Sequence, residues 1–282
     1  MDGRVWLVTG GTPGGFGMAY AEAVLAAGER VVVTARRTGE LAEWGAAYGD
    51  RVLVLELDVT RPEQVRQAVA AAEERFGGID VLVNNAGRGW YGSVEGASED
   101  LVRRSFELNF FGTVEVIRAV LPGMRRRGSG WIVNMSSVAG LIGVPGFGYY
   151  SAAKFALEGL SESLRAEVEP YGVRVLLVEP GAFRTNAYSG FSAEPEPETV
   201  PEYQEMLTGL REAFVAQDGT QPGDPERGVR AVLAVLDQAD PPARLVLGDQ
   251  AYEHVVAKYE GVLAELRRHE ELSRGADFPP AP

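Results

Sequence analysis

The 282-residue chain contains no cysteine. Disulfides, thiolate nucleophiles and cysteine-ligated metals are therefore excluded. Histidine is nearly as scarce: His254 and His269 are the only two, and both lie in a charged C-terminal stretch. A mechanism that needs a histidine base in the first two-thirds of the chain is excluded, and a His/Cys metal cluster has no ligands to draw on, so no metal site is expected. Lysine is the third scarcity, since Lys154 and Lys258 are the only lysines among 27 basic residues. Positive charge is outweighed as well. The formal net charge of −13 argues against a nucleic-acid binder, which needs a basic face. No apolar run approaches the length of a membrane span. The start, Met1-Asp2-Gly3-Arg4, has no signal-peptide layout. A soluble cytoplasmic enzyme is the expectation, and any anionic cofactor must be held by local positive features.

What is present is regular alternation. Short β-branched runs at Val5–Thr9, Arg30–Ala35, Val52–Leu57, Val81–Asn84, Trp131–Met135, Val173–Val178 and Arg244–Leu247 read as strands. Their near-continuous apolar character suits strands buried on both faces. Between them lie helical patterns such as Met18–Ala27, Pro62–Phe76 and Ser98–Leu121. This alternation predicts an α/β fold, a seven-stranded parallel sheet with helices on both faces, doubly wound as one domain over residues 1–282. The segment of about 186–224 differs, with Glu194-Pro195-Glu196-Pro197-Glu198 and Gln221-Pro222-Gly223-Asp224-Pro225 flanking a potential short helix, Tyr203–Ala216. It reads as a lid beside the ligand crevice, because loops beyond strand C-termini carry specificity in such sheets. A charged helix at about 251–274 is expected to cover one flank, and the proline-rich tail to be loosely held.

The first strand ends in Thr9-Gly10-Gly11-Thr12-Pro13-Gly14-Gly15-Phe16-Gly17, directly before a helix. Glycines let the backbone approach a pyrophosphate, and the helix N-terminus supplies N–H groups and a positive dipole end. The second strand ends in Arg36-Arg37, where an NAD site needs a carboxylate for the ribose 2′-hydroxyl. Two arginines suit a 2′-phosphate instead, so NADP(H) is expected over NAD(H). Asp58 either holds the adenine amino group or caps the following turn.

Tyr150 and Lys154 stand four apart on a helical pattern, which puts them on one face. A free tyrosine titrates near ~10, and a nearby ammonium lowers that value by stabilising the phenolate, as general acid–base work requires. Ser137 lies 13 residues before Tyr150, at the end of a strand, where a hydroxyl can steady a substrate oxygen. Tyr149, facing another way, is assigned to the pocket wall.

Together these residues resemble the short-chain dehydrogenase/reductase family, and most closely its hydroxysteroid/retinol dehydrogenase-like subgroup. The likeness runs from about Val5 to Thr185. It comprises the glycine loop, Leu57-Asp58-Val59, Asn84-Asn85-Ala86-Gly87, Asn109, Ser137, Tyr150-x-x-x-Lys154 and Pro180-Gly181-x-x-x-Thr185. The resemblance implies a Rossmann-type fold and a catalytic tetrad of Asn109, Ser137, Tyr150 and Lys154. In that tetrad Tyr150 moves the proton, Ser137 steadies the substrate oxygen, Lys154 holds the nicotinamide ribose and lowers the tyrosine pKa, and Asn109 holds a relay water. It implies cofactor contacts at Thr9, Gly10, Gly15, Phe16, Gly17, Asp58, Val59, Asn85, Ala86, Gly87, Pro180, Gly181, Phe183 and Thr185, beside Arg36 and Arg37. The loop departs from the family's Thr-Gly-x-x-x-Gly-x-Gly by one inserted residue and includes Pro13, which has no N–H to offer a phosphate. The insertion is expected to bulge outward. A homodimer or homotetramer is compatible with the resemblance.

Trp90, Tyr91, Phe147, Tyr149, Phe183, Tyr188 and Phe191 are pocket candidates, with Ser137 among them. Such aromatics suggest a bulky, mainly apolar ketone or secondary alcohol, and NADPH pools favour its reduction. Two rival readings remain at this point: a non-catalytic NADP sensor on the same fold, and a dehydratase or epimerase.

Overall fold

The computed structural model describes residues 3–188 and 199–278. The candidates Phe191 and Glu194 to Glu198 lie outside them. Seven parallel strands form one sheet: β1 (Val5–Thr9), β2 (Arg30–Ala35), β3 (Val52–Glu56), β4 (Val81–Asn84), β5 (Gly130–Met135), β6 (Val173–Pro180) and β7 (Arg244–Leu247). Their order is β3-β2-β1-β4-β5-β6-β7, a doubly wound Rossmann-type arrangement. The chain reverses direction across the sheet between β1 and β4, and the strand ends diverge there to leave a crevice.

The two-residue period of a strand sends neighbours to opposite faces, and here both faces are apolar. Trp6, Val8, Val31, Val33, Val81 and Val83 share one core with the helices α1 (Phe16–Ala26) and Pro225–Leu236. Leu7, Val32, Leu82 and Ile132 share the other with α3 (Pro62–Phe76), α5 (Gly112–Arg127) and α6 (Gly148–Val168). Helix α2 (Gly39–Ala46) joins β2 to β3, and α4 (Glu99–Phe106) follows β4.

One expected helix is three elements. Instead of a continuous Ser98–Leu121, α4 ends at Phe106, a π-helical turn spans Glu107–Phe111, and α5 runs on through Pro122 to Arg127. The helix survives Pro122 because Val116, Val120 and Met124 are buried against the sheet, so packing outweighs the lost hydrogen bond. It stops where Gly128 adopts φ +68, a left-handed conformation open to glycine.

A buried polar ladder locks α6 to the sheet. Asn84 Nδ2 donates to Asn134 Oδ1 at 2.8 Å, Asn134 Nδ2 to Ser161 Oγ at 2.8 Å, and Ser161 Oγ to the Leu157 carbonyl at 2.7 Å. These bonds link β4, β5 and α6, and they set the rotation of α6 about its axis.

Candidate active site

A cavity of about 390 Å³ opens at the C-terminal ends of β4, β5 and β6. Its wall carries Phe16, Asn85, Gly87, Ser137, Phe147, Tyr150, Lys154, Pro180, Gly181, Phe183, Thr185 and Tyr188 of the residues singled out in the sequence. The fold thus gathers residues spread over 173 positions (Phe16 to Tyr188) onto one surface.

Tyr150 and Lys154 sit in the first two turns of α6, with the Lys154 Nζ 5.8 Å from the Tyr150 ring centroid. Lys154 is buried and donates to the Met135 carbonyl at 2.8 Å. Burial pushes its ammonium down to about 8, against an upward pull from Glu158 one turn on. Burial pushes the Tyr150 hydroxyl up, the neighbouring Ser137 hydroxyl pulls it back, and Tyr188 adds a small upward push. Desolvation of the phenol is the largest of these influences, and the hydroxyl lies above its ordinary range. Ser137 caps the short 3₁₀ turn Val138–Gly140, its Oγ accepting from the Ala139 N–H at 3.1 Å.

Asn109 lies behind this wall, fully buried in the π-turn. Its Oδ1 accepts from the Arg88 N–H at 3.0 Å, and its Nδ2 donates to the carbonyls of Arg88 and Ser105, each at 2.9 Å. The extra residue of a π-turn re-aims a side chain that a regular helix would place elsewhere, and here it braces the segment after β4. A Cβ on Gly87 would come within 2.9 Å of Asn109 Oδ1 and 3.5 Å of Lys154 Nζ, so only glycine fits between these two groups.

An acidic cluster backs the lysine, with Glu158 and Glu179 buried and Glu162 exposed. Glu158 Oε2 and Glu162 Oε1 accept from Arg244 Nη2 at 3.0 and 2.6 Å, and Arg244 Nε lies 3.5 Å from Glu179 Oε1. Burial pushes the fully buried Glu179 up to about 8, with Glu158 adding to the rise. Burial likewise raises Glu158. This cluster gave no sequence signal, because its members come from α6, β6 and β7.

The glycine loop is built for close approach. Gly10 adopts φ +75, and a Cβ there would meet Ala86 Cα at 2.9 Å; one on Gly17 would meet the Gly10 carbonyl oxygen at 2.3 Å. Thr9 is buried and braces rather than lines the cavity. Its Oγ1 accepts from the N–H groups of Asn85 and Ala86, both at 3.0 Å, and Asn85 Nδ2 donates to the Thr9 and Gly10 carbonyls. The inserted residue makes a tight turn in which Gly15 N donates to the Thr12 carbonyl at 3.1 Å, with Pro13 and Gly14 (φ +73) at its corner. Proline followed by a positive-φ glycine is the type II pattern. The turn is exposed, as an outward bulge should be, and Asn186 Nδ2 donates to the Pro13 carbonyl at 2.6 Å. Helix α1 then begins at Phe16 with an extended Gly15 N-cap and no side-chain cap, leaving its first N–H groups for an anion. Gly11 N donates to the Thr34 carbonyl at 2.8 Å, so the loop rests on the end of β2, where Arg36 and Arg37 are exposed. These residues fit a dinucleotide. Asp58 Oδ1 accepts from Thr60 N at 3.0 Å and Oγ1 at 2.7 Å, which caps the following turn, and Val59 is buried beside Gly112.

Of the substrate-pocket candidates, Trp90, Tyr91 and Tyr149 are not on the cavity wall. Tyr91 is buried 6.3 Å from the Phe147 ring, Trp90 lies against the Arg88 guanidinium at 5.4 Å, and Tyr149 OH donates to the Val94 carbonyl at 2.9 Å. The wall instead gains Phe214, whose ring lies 5.1 Å from Phe147 and 5.2 Å from Tyr188. Phe214 belongs to the helix Gln204–Ala216, inside the segment read as a lid. It also gains Gln250 and His254 from the C-terminal helix Asp249–Arg268. In the sequence His254 stands in a charged C-terminal stretch, and nothing in its spacing points to the cavity.

The chain matches known proteins over nearly its whole length. The profile of the short chain dehydrogenase family matches residues 4–196. Oxidoreductase BOA17 of Botryotinia fuckeliana is 37% identical over 96% of this chain and 98% of its own. Human retinol dehydrogenase 8 is 37% identical over 76% of this chain and 71% of its own. A short-chain dehydrogenase from Streptomyces avermitilis superposes with a TM-score of 0.89 at 45% identity, covering 98% of this chain and all of that one. Family structures from Burkholderia hold either cofactor: NAD in B. phymatum (TM-score 0.76, 26% identity, 100% and 98% covered) and NADP in B. cenocepacia (0.72, 28%, 95% and 97%). With its seven-stranded parallel sheet and a Tyr-x-x-x-Lys pair on the crevice wall, the chain is a member of the short-chain dehydrogenase/reductase family, oxidoreductases acting on CH–OH and C=O groups.

Proposed function

We propose that the protein is an NADP(H)-dependent oxidoreductase that interconverts a ketone and a secondary alcohol on a bulky, mainly apolar substrate. The observation that carries this reading is the shared wall of Tyr150, Ser137 and Lys154, braced from behind by Asn109. A bound nicotinamide dinucleotide supplies or accepts the hydride at the carbon that bears the oxygen. In the reducing direction Tyr150 gives its hydroxyl proton to that oxygen. Ser137, hydrogen-bonded to the same oxygen, steadies the charge that develops on it. Lys154 holds the ribose and presents its ammonium to the phenolate that Tyr150 becomes, which offsets the desolvation raising the phenol. The Asn109 side chain is already engaged, so its main chain is left to hold the water that returns a proton.

Gly15, Gly17 and the uncapped first turn of α1 receive the pyrophosphate, with Phe183 and Thr185 at the nicotinamide end. Arg36 and Arg37 support the 2′-phosphate assignment: they stand beside the loop, and the segment Arg36-Arg37-Thr38 holds no carboxylate. Phe147, Tyr188 and Phe214 give the substrate side its aromatic character, and the relative named for retinol, a bulky apolar alcohol, agrees with it.

Tyr150→Phe tests the reading. Removing the general acid should lower turnover about 10²–10⁴-fold, followed as NADPH oxidation with a panel of aromatic and alicyclic ketones, while NADPH affinity changes little. Unchanged turnover in the variant overturns the catalytic assignment, and substrate loss without NADPH oxidation points to a dehydratase or epimerase.

A further inference from the structure

The C-terminal helix Asp249–Arg268 is attached to the body only at its start. Ala251 and Val255 are buried, Val262 is half-buried, and every other residue from Val256 to Arg274 is exposed. A helix of this length standing free in water is only marginally stable. Its exposed surface is also not uniformly polar. Tyr252, Val256, Tyr259, Leu263 and Leu266 are 37 to 61% exposed, and they follow one another at steps of four, three, four and three. That places them on one face, in a stripe of roughly 21 Å at 1.5 Å per residue. A mean spacing of three and a half residues is the period of two helices packed side by side. An ordinary surface helix carries its apolar stripe inward; this one carries a second stripe outward.

We propose that this stripe pairs, antiparallel and about a two-fold axis, with the same helix of a second copy of the chain. The charges beside the stripe select that occupant. Glu253, Glu260 and Arg267 recur every seven residues along one edge. In an antiparallel pair centred on Gly261, Leu263 packs on the second copy's Tyr259 and Leu266 on its Val256. Glu253 then faces the second copy's Arg267, and symmetry makes that ion pair twice. Glu260 meets its mate at the centre, on the solvated rim, where like charges cost little. A parallel pair would place Glu260 and Arg267 beside the second copy's Val255 and Val262 and make no ion pair. A lipid surface fits less well, because interfacial helices are rich in Lys and Arg. From residue 249 to 274 this segment has six acidic residues against four basic ones, in a chain of net charge −13. The pairing bears on the cavity too, since Gln250, Ala251 and His254 line it from the same helix; a second copy would steady that wall.

The full-length chain is measured by sedimentation equilibrium and light scattering, as wild type and as Tyr259→Glu/Leu263→Glu. The wild type should show an even multiple of the 30.3 kDa chain, and the double variant half of it. Placing two carboxylates in the seam should raise the dimer Kd about a hundredfold or more. Thermal melting and NADPH binding confirm that the variant is folded. A second set tests the register without touching the apolar stripe. Glu253→Arg should weaken the pair, and Glu253→Arg/Arg267→Glu should restore it. A monomeric wild type, an unchanged assembly in the double variant, or no restoration by the charge swap overturns the proposal. So does flotation of the wild type, but not the double variant, with phosphatidylcholine/phosphatidylglycerol vesicles, which would assign the stripe to a bilayer.

Discussion

Burial moves Tyr150 and Lys154 apart in proton affinity: Tyr150 upward from its ordinary range, and Lys154 down to about 8. A lysine near 8 is charged at neutral pH yet close to releasing its proton, which suits a group that passes protons onward. Glu158, one turn further along α6, works against that loss, and Met135 gives the ammonium a carbonyl to hold. Arginine could not substitute here, since its guanidinium keeps its proton and needs more room. At the proposed 2′-phosphate site Arg36 and Arg37 are exposed. Arg36→Asp should weaken NADPH roughly 10- to 100-fold, the scale of one or two charge-assisted hydrogen bonds, and NADH at most a few-fold. Fluorescence titration with both nucleotides checks this, and equal losses would remove Arg36 from the 2′-phosphate.

At the scale of elements, a π-turn and one helix finish what the sheet begins. The π-turn between α4 and α5 rotates Asn109 inward to grip both backbone groups of Arg88. The helix Gln204–Ala216 lays Phe214 against Phe147 and Tyr188, and Tyr203 OH donates to Glu95 Oε2 at 3.1 Å just before it. We expect this helix to serve as a substrate lid. Phe214→Ala should raise KM about tenfold for a bulky apolar ketone, from the apolar contact removed, and leave KM for a small ketone and the melting temperature nearly unchanged. A KM that does not discriminate between the two ketones would assign Phe214 to folding alone.

For the whole molecule, the cluster of Glu158, Glu179 and Arg244 fastens β7 and α6 to β6 behind the cavity. Glu179 keeps its proton up to about 8, against an ordinary 4.5. Below pH 4.5 the folded and unfolded chains are both protonated there. As pH rises toward 8 the unfolded chain gives up the proton and the folded chain holds it, so this group lowers stability progressively, fully above 8. Glu158 faces it from α6 and acts in the same sense, Arg244 from β7 opposes, and Lys154 acts oppositely above 8. The difference between wild type and Glu179→Gln isolates the group. The variant should match wild type near pH 4.5 and melt higher at pH 9, by about 2–4 °C for each kcal/mol relieved. Parallel melting curves across pH would show that Glu179 is already ionised in the folded state.

The sequence by itself determined the sheet, because strand period, apolar runs and glycine turns are local signals that burial on both faces leaves unambiguous. All seven strands fall within two residues of their expected ends. It put Tyr150 and Lys154 on one face for the same reason: a spacing of four on a helix is a geometric statement that needs no tertiary contact. The type II turn at Pro13-Gly14 was legible as an outward bulge. What only the tertiary structure decided is everything joined across elements. Phe214, Gln250 and His254 reach the cavity by the packing of helices that follow β6 and β7. Glu158, Glu179 and Arg244 become one cluster only when α6 crosses that edge of the sheet. Thr9 and Asn109 brace the cavity instead of lining it, Tyr149 turns away to Val94, and the phenol of Tyr150 lies above its ordinary range. Desolvation decides that last point, and desolvation depends on what lies around a group in space, which neighbours in sequence do not specify.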